Sequence, residues 1–186
     1  TFNSVTDELR VIEKVLDGYR LTEPDGTDYT FDSQGRLAAI TDRNGNMQVL
    51  TYQGNLLQSV ADNFGRRLDF AYNPDSRLIS VSGPAGSVDY AHDSQGNLVE
   101  VTCLDGRKRR YLYEDTRNPQ ALTGIIQENG LRYATYVYDA DGKATLSKHA
   151  GDSRLVRVDY GPGLKRKLTD SLGRVRTFDL QVAQGI

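Results

Sequence analysis

Hydrophobic and polar residues follow one another in short alternating runs, not at helical spacing. In Asn97-Leu98-Val99-Glu100-Val101-Thr102 and Arg77-Leu78-Ile79-Ser80-Val81-Ser82, neighbouring side chains point to opposite faces of a strand, giving each segment one mainly apolar face. Arg36-Leu37-Ala38-Ala39-Ile40-Thr41 forms no clean helical stripe, and the stretch from Arg132 to Tyr138 is rich in aromatic and β-branched residues. Helix is an alternative only over Asp7 to Leu16, where Leu9, Ile12 and Val15 stand three apart. That segment is read as strand, because Asp17-Gly18 and Glu23-Pro24-Asp25-Gly26 have the composition of hairpin turns.

The runs belong to a repeat of about twenty residues. One aromatic column contains Phe31, Tyr52, Tyr72, Tyr113, Tyr138, Tyr160 and Phe178, with His92 taking the slot once. Aspartate or asparagine often follows at once, as at Asp32, Asn73, Asp93, Asp139 and Asp179. Two turns punctuate each unit. The first follows the aromatic and ends on Gly35, Gly96 or Gly142; the second falls about ten residues on and ends on Gly45, Gly65 or Gly173. Asp105-Gly106 and Asn129-Gly130 are shorter versions. The acidic or amide side chain opens such a turn by bonding the backbone, and glycine supplies the positive φ near its end.

The fold class this predicts is all-β: antiparallel hairpin repeats forming a curved, wound sheet. A lone hairpin is too small to be stable, so hairpins stack edge to edge and each caps its neighbour. Residues 1–186 read as a single repeat segment of about seven units, clearest over 29–180. The chain opens on Thr1 and not on methionine, as a piece of a larger shell would, and open sheet edges predict self-association.

Composition removes several function classes. Lysine plus arginine (23) nearly balances aspartate plus glutamate (25), so no global field draws nucleic acid. No apolar run reaches the length of a membrane span, and no signal peptide is visible. Cys103 is the single cysteine, read as a buried small hydrophobe alternating with Val101. His92 is read as packed in its aromatic slot and His149 as solvated in a turn region; neither has metal-ligand spacing. The aspartates before glycines suit turns better than calcium loops, since Asp139-Ala140-Asp141-Gly142 lacks the closing glutamate. The basic clusters Arg107-Lys108-Arg109-Arg110 and Lys165-Arg166-Lys167 suit a solvated face or a blunted edge. Sequence singles out no catalytic, cofactor-binding or metal-binding residue, and the chain is read as a non-enzyme with no cofactor.

Residues 29–45, Tyr-Thr-Phe-Asp-Ser-Gln-Gly-Arg-Leu-Ala-Ala-Ile-Thr-Asp-Arg-Asn-Gly, resemble one unit of the RHS or YD repeat. The segments from Ala91 to Val101 and from Tyr136 to Lys143 resemble two more, and the likeness extends over about residues 19 to 180. Asn73-Pro74-Asp75-Ser76 departs by lacking the turn glycine, Asp115 to Gln120 by forming a longer loop, and Tyr160-Gly161-Pro162-Gly163 by lacking the aspartate. The resemblance implies a wound β-sheet cocoon that encloses a toxic C-terminal domain in secreted or exported bacterial proteins, similar to the shells of polymorphic toxins, insecticidal toxin complexes and teneurin-type surface proteins. It also implies other RHS repeats of the parent chain and an enclosed toxin domain as partners. The family's aspartyl self-cleavage stretch is not found, and repeats run to Phe178-Asp179, so this chain reads as shell without cargo. The rival reading is a carbohydrate-binding surface, with tyrosine ladders stacking on sugars.

Overall fold

The computed structural model describes residues 2–3 and 11–180. The chain divides into two compact units, Thr1–Val88 and Asp89–Ile186. The first contains β1 (Phe2–Asn3), β2 (Val11–Val15), β3 (Gly18–Thr22), β4 (Asp28–Asp32), β5 (Leu37–Thr41), β6 (Met47–Gln53), β7 (Leu56–Asp62), β8 (Arg67–Tyr72) and β9 (Leu78–Gly83). The division falls within β10 (Gly86–His92). The second unit continues with β11 (Leu98–Thr102), β12 (Lys108–Leu112), β13 (Gly124–Ile126), β14 (Arg132–Tyr138), β15 (Ala144–His149), β16 (Val156–Tyr160), β17 (Lys165–Asp170) and β18 (Val175–Asp179). One 3-10 turn, Ala150–Asp152, is the only helical element among the described residues.

The fold is all-β and antiparallel. Within each unit every strand pairs with the next in sequence, from β1 to β9 and from β10 to β18. Such a meander needs only tight turns, and the sequence supplies one about every ten residues. Val11–Val15 is strand, so the helical alternative does not hold there, while Asp7 to Arg10 lie outside the described residues.

Register separates two faces. In the first unit Leu50 pairs with Val60, Val60 with Leu68, and Phe70 with Val81, which places aliphatic and aromatic side chains together. The opposite face carries Thr51, Ser59, Asp69 and Ser82 in register. The core is thin. Ala134 is the only buried hydrophobic residue among those described, and Ser59 and Thr123 are the buried polar ones. Each unit is an antiparallel sheet whose described residues bury few side chains. Accordingly, the chain exposes 13194 Å², whereas scaling for a compact protein of this mass gives about 8,900 Å². No helix among the described residues is long and apolar enough to cross a membrane.

Candidate functional site

With so little buried among the described residues, turns and side chains within each sheet contribute much of its order. The turns share one hydrogen-bond pattern. At Asp32-Ser33-Gln34-Gly35-Arg36, the Asp32 amide donates to the Arg36 carbonyl and the Gly35 amide to the Asp32 carbonyl, both at 2.9 Å. Asp32 Oδ1 accepts from the amides of Gln34 and Arg36, and Oδ2 accepts from Arg36 Nε at 2.8 Å. The same bonds recur at Asp62 with Arg66 and at Asp170 with Arg174. At Asp42 and Asp93 the side-chain amides of Asn46 and Asn97 take the place of the guanidinium. Gly35, Gly45, Gly65, Gly96, Gly106, Gly130, Gly142 and Gly173 all sit at such turns, with φ between 74° and 85°. Only glycine takes that conformation without a steric penalty.

These bonds stabilise the ionised carboxylates. The Arg36 amide is the largest influence holding Asp32 below its usual value, and the Asn46 and Asn97 side-chain amides lead at Asp42 and Asp93. At Asp62 and Asp170 partial burial pulls upward, yet the bonds from Arg66 and Arg174 outweigh it and both carboxyls end lowered.

Where the sequence departs from the turn pattern, the geometry persists. Ser76 stands in place of glycine and itself adopts φ 62°, donating its amide to the Asn73 carbonyl at 2.9 Å. Cys103 opens a later turn: its amide donates to the Arg107 carbonyl at 2.8 Å, and Asp105 supplies the carboxylate to Arg107. This corrects the reading of Cys103 as a buried strand residue, because β11 ends at Thr102 and the thiol is half-buried.

The aromatic column coincides with breaks in the ladders. Register shifts fall at Thr30/Phe31, Thr51/Tyr52, Ala71/Tyr72, Ala91/His92 and Val137/Tyr138. A bulge re-aims the side chain that follows it, and here the ring is directed along the sheet. Each hydroxyl reaches a carbonyl at or close to the start of the preceding strand. Tyr52 donates to Leu37 at 2.9 Å, Tyr72 to Leu57 at 3.0 Å, Tyr113 to Leu98 at 3.2 Å, Tyr138 to Leu122 at 2.9 Å and Tyr160 to Ala144 at 2.9 Å. Burial pushes the Tyr113 and Tyr138 hydroxyls up, so both remain protonated donors. Phe31 and Phe178 lack the hydroxyl, and His92 keeps a buried Nδ1 with no hydrogen-bond partner. The column residues lie two strands apart along the sheet and converge on no common pocket.

Arginines tie one repeat to the next. Arg36 donates to the Gly54 carbonyl and sits 4.7 Å from the Tyr52 ring centre. Arg117 holds Asp115 at 2.9 Å and donates to the Tyr138 carbonyl at 3.0 Å, while Asn97 donates to the Pro119 carbonyl at 2.9 Å. The Arg117 guanidinium lowers the Asp115 carboxyl to about 2. In the same long loop Glu114 accepts from both terminal nitrogens of Arg132, and the buried Thr123 hydroxyl donates to the Leu112 carbonyl. Arg132 lies flat over Gly124, where a Cβ would come within 2.5 Å of its guanidinium.

The remaining candidates are occupied structurally. Arg107 pairs with Asp105, Lys108 and Arg110 with Glu100, and Arg109 with Glu128. His149 is half-buried at the end of β15 with its ring 4.4 Å from that of Tyr133, which corrects the solvated reading. No group of three His, Cys, Asp or Glu residues among those described could hold a metal ion. Two features of this network escape a reading of the sequence: the acceptor carbonyls, which carry no residue signature, and the bond from the side chain just after each turn glycine to the carboxylate that opens the turn. The recurring Arg, Asn or Lys at 36, 46, 66, 97, 143 and 174 is the signal that could have revealed the second.

The profile of the family described as RHS Repeat matches residues 72–108. The chain is 32% identical over 98 residues to Double-stranded DNA deaminase toxin A of Burkholderia cenocepacia, covering 50% of this chain and 7% of that protein. It is 25% identical over 177 residues to Probable deoxyribonuclease RhsA of Dickeya dadantii, covering 95% of this chain and 11% of that protein. Human Teneurin-1 is 27% identical over 135 residues, 70% of this chain and 5% of its own length. The chain thus spans about a tenth or less of the relatives it matches.

Proposed function

We propose, from the match of residues 72–108 to the RHS-repeat family and the likeness to toxin relatives, that this chain is an RHS-type wall segment of a shell enclosing a toxin or effector domain at the C-terminal end of an exported bacterial protein. Its role is structural. The observation that carries this reading is the series of tyrosine hydroxyls given to backbone carbonyls at or near the preceding strand, from Tyr52 to Tyr160. A sheet stabilised within its own surface holds its form with no layer packed upon it, as a wall around a separate body must. The relatives support the toxin context: two carry names of DNA-acting proteins, and this chain matches only a small part of each.

A carbohydrate surface is the weaker reading. The five column hydroxyls are already used as donors within the sheet, which leaves none of them to donate to a sugar. The test is limited proteolysis of the full-length parent polypeptide, compared with its C-terminal domain alone. Protection of that domain only when attached to the repeats is the expected result. Equal cleavage in both forms removes the enclosing role.

A further inference from the structure

Two turns carry the same dipeptide, asparagine then glycine, and hold its side chain differently. Asn44-Gly45 lies in the turn between β5 and β6, and Asn129-Gly130 in the turn between β13 and β14. The two backbones match closely. Gly45 has φ 82° and Gly130 has φ 79°, and a Cβ on either would meet nothing within 4 Å. The Gly45 amide donates to the Asp42 carbonyl at 3.0 Å, and the Gly130 amide to the Gln127 carbonyl at 2.9 Å. Both asparagines are exposed.

Their carboxamides differ. Asn129 Oδ1 accepts the Leu131 amide at 3.0 Å, which fixes the side chain along the turn. Asn44 donates its main-chain amide to Asp42 Oδ1 at 2.8 Å, but its carboxamide has no hydrogen-bond partner among the described residues. Asparagine is a thermolabile residue, because the next main-chain nitrogen can attack its carboxamide carbon, and a following glycine puts no side chain in the way. That attack requires the peptide plane after the asparagine to rotate. At Asn44 the rotation breaks the Gly45 amide bond; at Asn129 it breaks the Gly130 amide bond and the Leu131 bond as well.

We propose that Asn44 is a site of spontaneous deamidation through a succinimide, and that Asn129 is protected by its bond to Leu131. The Gly45 nitrogen loses its proton to solvent and attacks Asn44 Cγ. A bond forms between them, the bond from Cγ to Nδ2 breaks, and ammonia leaves. Water then opens the ring at either carbonyl, giving aspartate or isoaspartate, so a neutral amide becomes a carboxylate with no oxidant or reductant. Isoaspartate lengthens the main chain by a methylene just before Gly45. The Gly45 carbonyl accepts from Asn63 Nδ2 at 3.2 Å, and Asn63 Oδ1 accepts the Met47 amide at 3.2 Å. The modification therefore loosens the tie between this turn and the one at Asp62. It proceeds whether or not the sheet encloses a cargo.

The test is incubation of the chain at neutral pH, folded and in concentrated urea, with peptide mapping by mass spectrometry at both asparagines. In the folded chain Asn44 should convert at least fivefold faster than Asn129, to isoaspartate and aspartate together. In urea the two rates should converge, because the bonds that separate them are gone. Asn44→Gln disfavours the five-membered ring and should abolish conversion there, with the circular-dichroism melt of the parent. Absence of conversion at Asn44 overturns the proposal, as do equal rates in the folded chain. A gap that persists in urea also overturns it, by assigning the difference to neighbouring sequence, and aspartate without isoaspartate does so by indicating direct hydrolysis.

Discussion

Ser76 is one of three described non-glycine residues, with Asp152 and Arg154, at which local geometry and residue type disagree. It holds a left-handed φ of 62° at a turn where glycine stands elsewhere, and a side chain pays about 1–2 kcal/mol there. Ser76→Gly should raise stability by about 1 kcal/mol once the greater chain freedom of glycine is deducted, read as a higher urea midpoint with unchanged slope. Loss of a single column hydroxyl has the opposite sign. Tyr52→Phe or Tyr72→Phe leaves the ring and removes one bond to Leu37 or Leu57, so each should cost about 1 kcal/mol in the same assay. Much of this was legible in the sequence. The aromatic spacing and the aspartate–glycine turns identify strands and turns because each demands a particular residue type. The tyrosines' acceptors were not legible, since a carbonyl is the same in every residue, and neither was the role of Cys103, since a thiol carries no turn signature.

At the scale of the hairpin, carboxylates govern the response to acid. Asp32, Asp42, Asp93 and Asp115 all have folded values below the ordinary one, with Asp115 at about 2. A lowered carboxyl binds protons more readily in the unfolded chain, so its contribution is complete above about pH 4 and is lost as pH falls through the folded values. Thermal midpoints should therefore be level from pH 7 to about 4 and then drop towards pH 2. Asp115→Asn should lower the plateau and shrink the drop. Gly124 governs another junction. Gly124→Ala should displace Arg132 from Glu114 and destabilise the pairing of β13 with β14, seen as faster amide exchange at Ile125 and Ala134. The glycine is visible in the sequence, but the guanidinium lying over it comes from a residue on another strand, so pattern alone did not reveal the contact.

At the scale of the molecule, the large exposed area changes the denaturation slope. An unfolded chain of this mass exposes about 30,000 Å², so folding to 13194 Å² removes roughly a fifth less surface than compact folding would. The urea slope should be lower by about that fraction than for a compact protein of equal length. The direction of the tyrosine bonds carries a further consequence. Every column hydroxyl reaches backward to a carbonyl 15 or 16 residues earlier. On a ribosome releasing the chain from its N-terminus, the acceptor for each clasp has already emerged when its tyrosine appears. Closing such a short loop costs little, so each hairpin can be fastened in order of synthesis without waiting for the distal part of the protein.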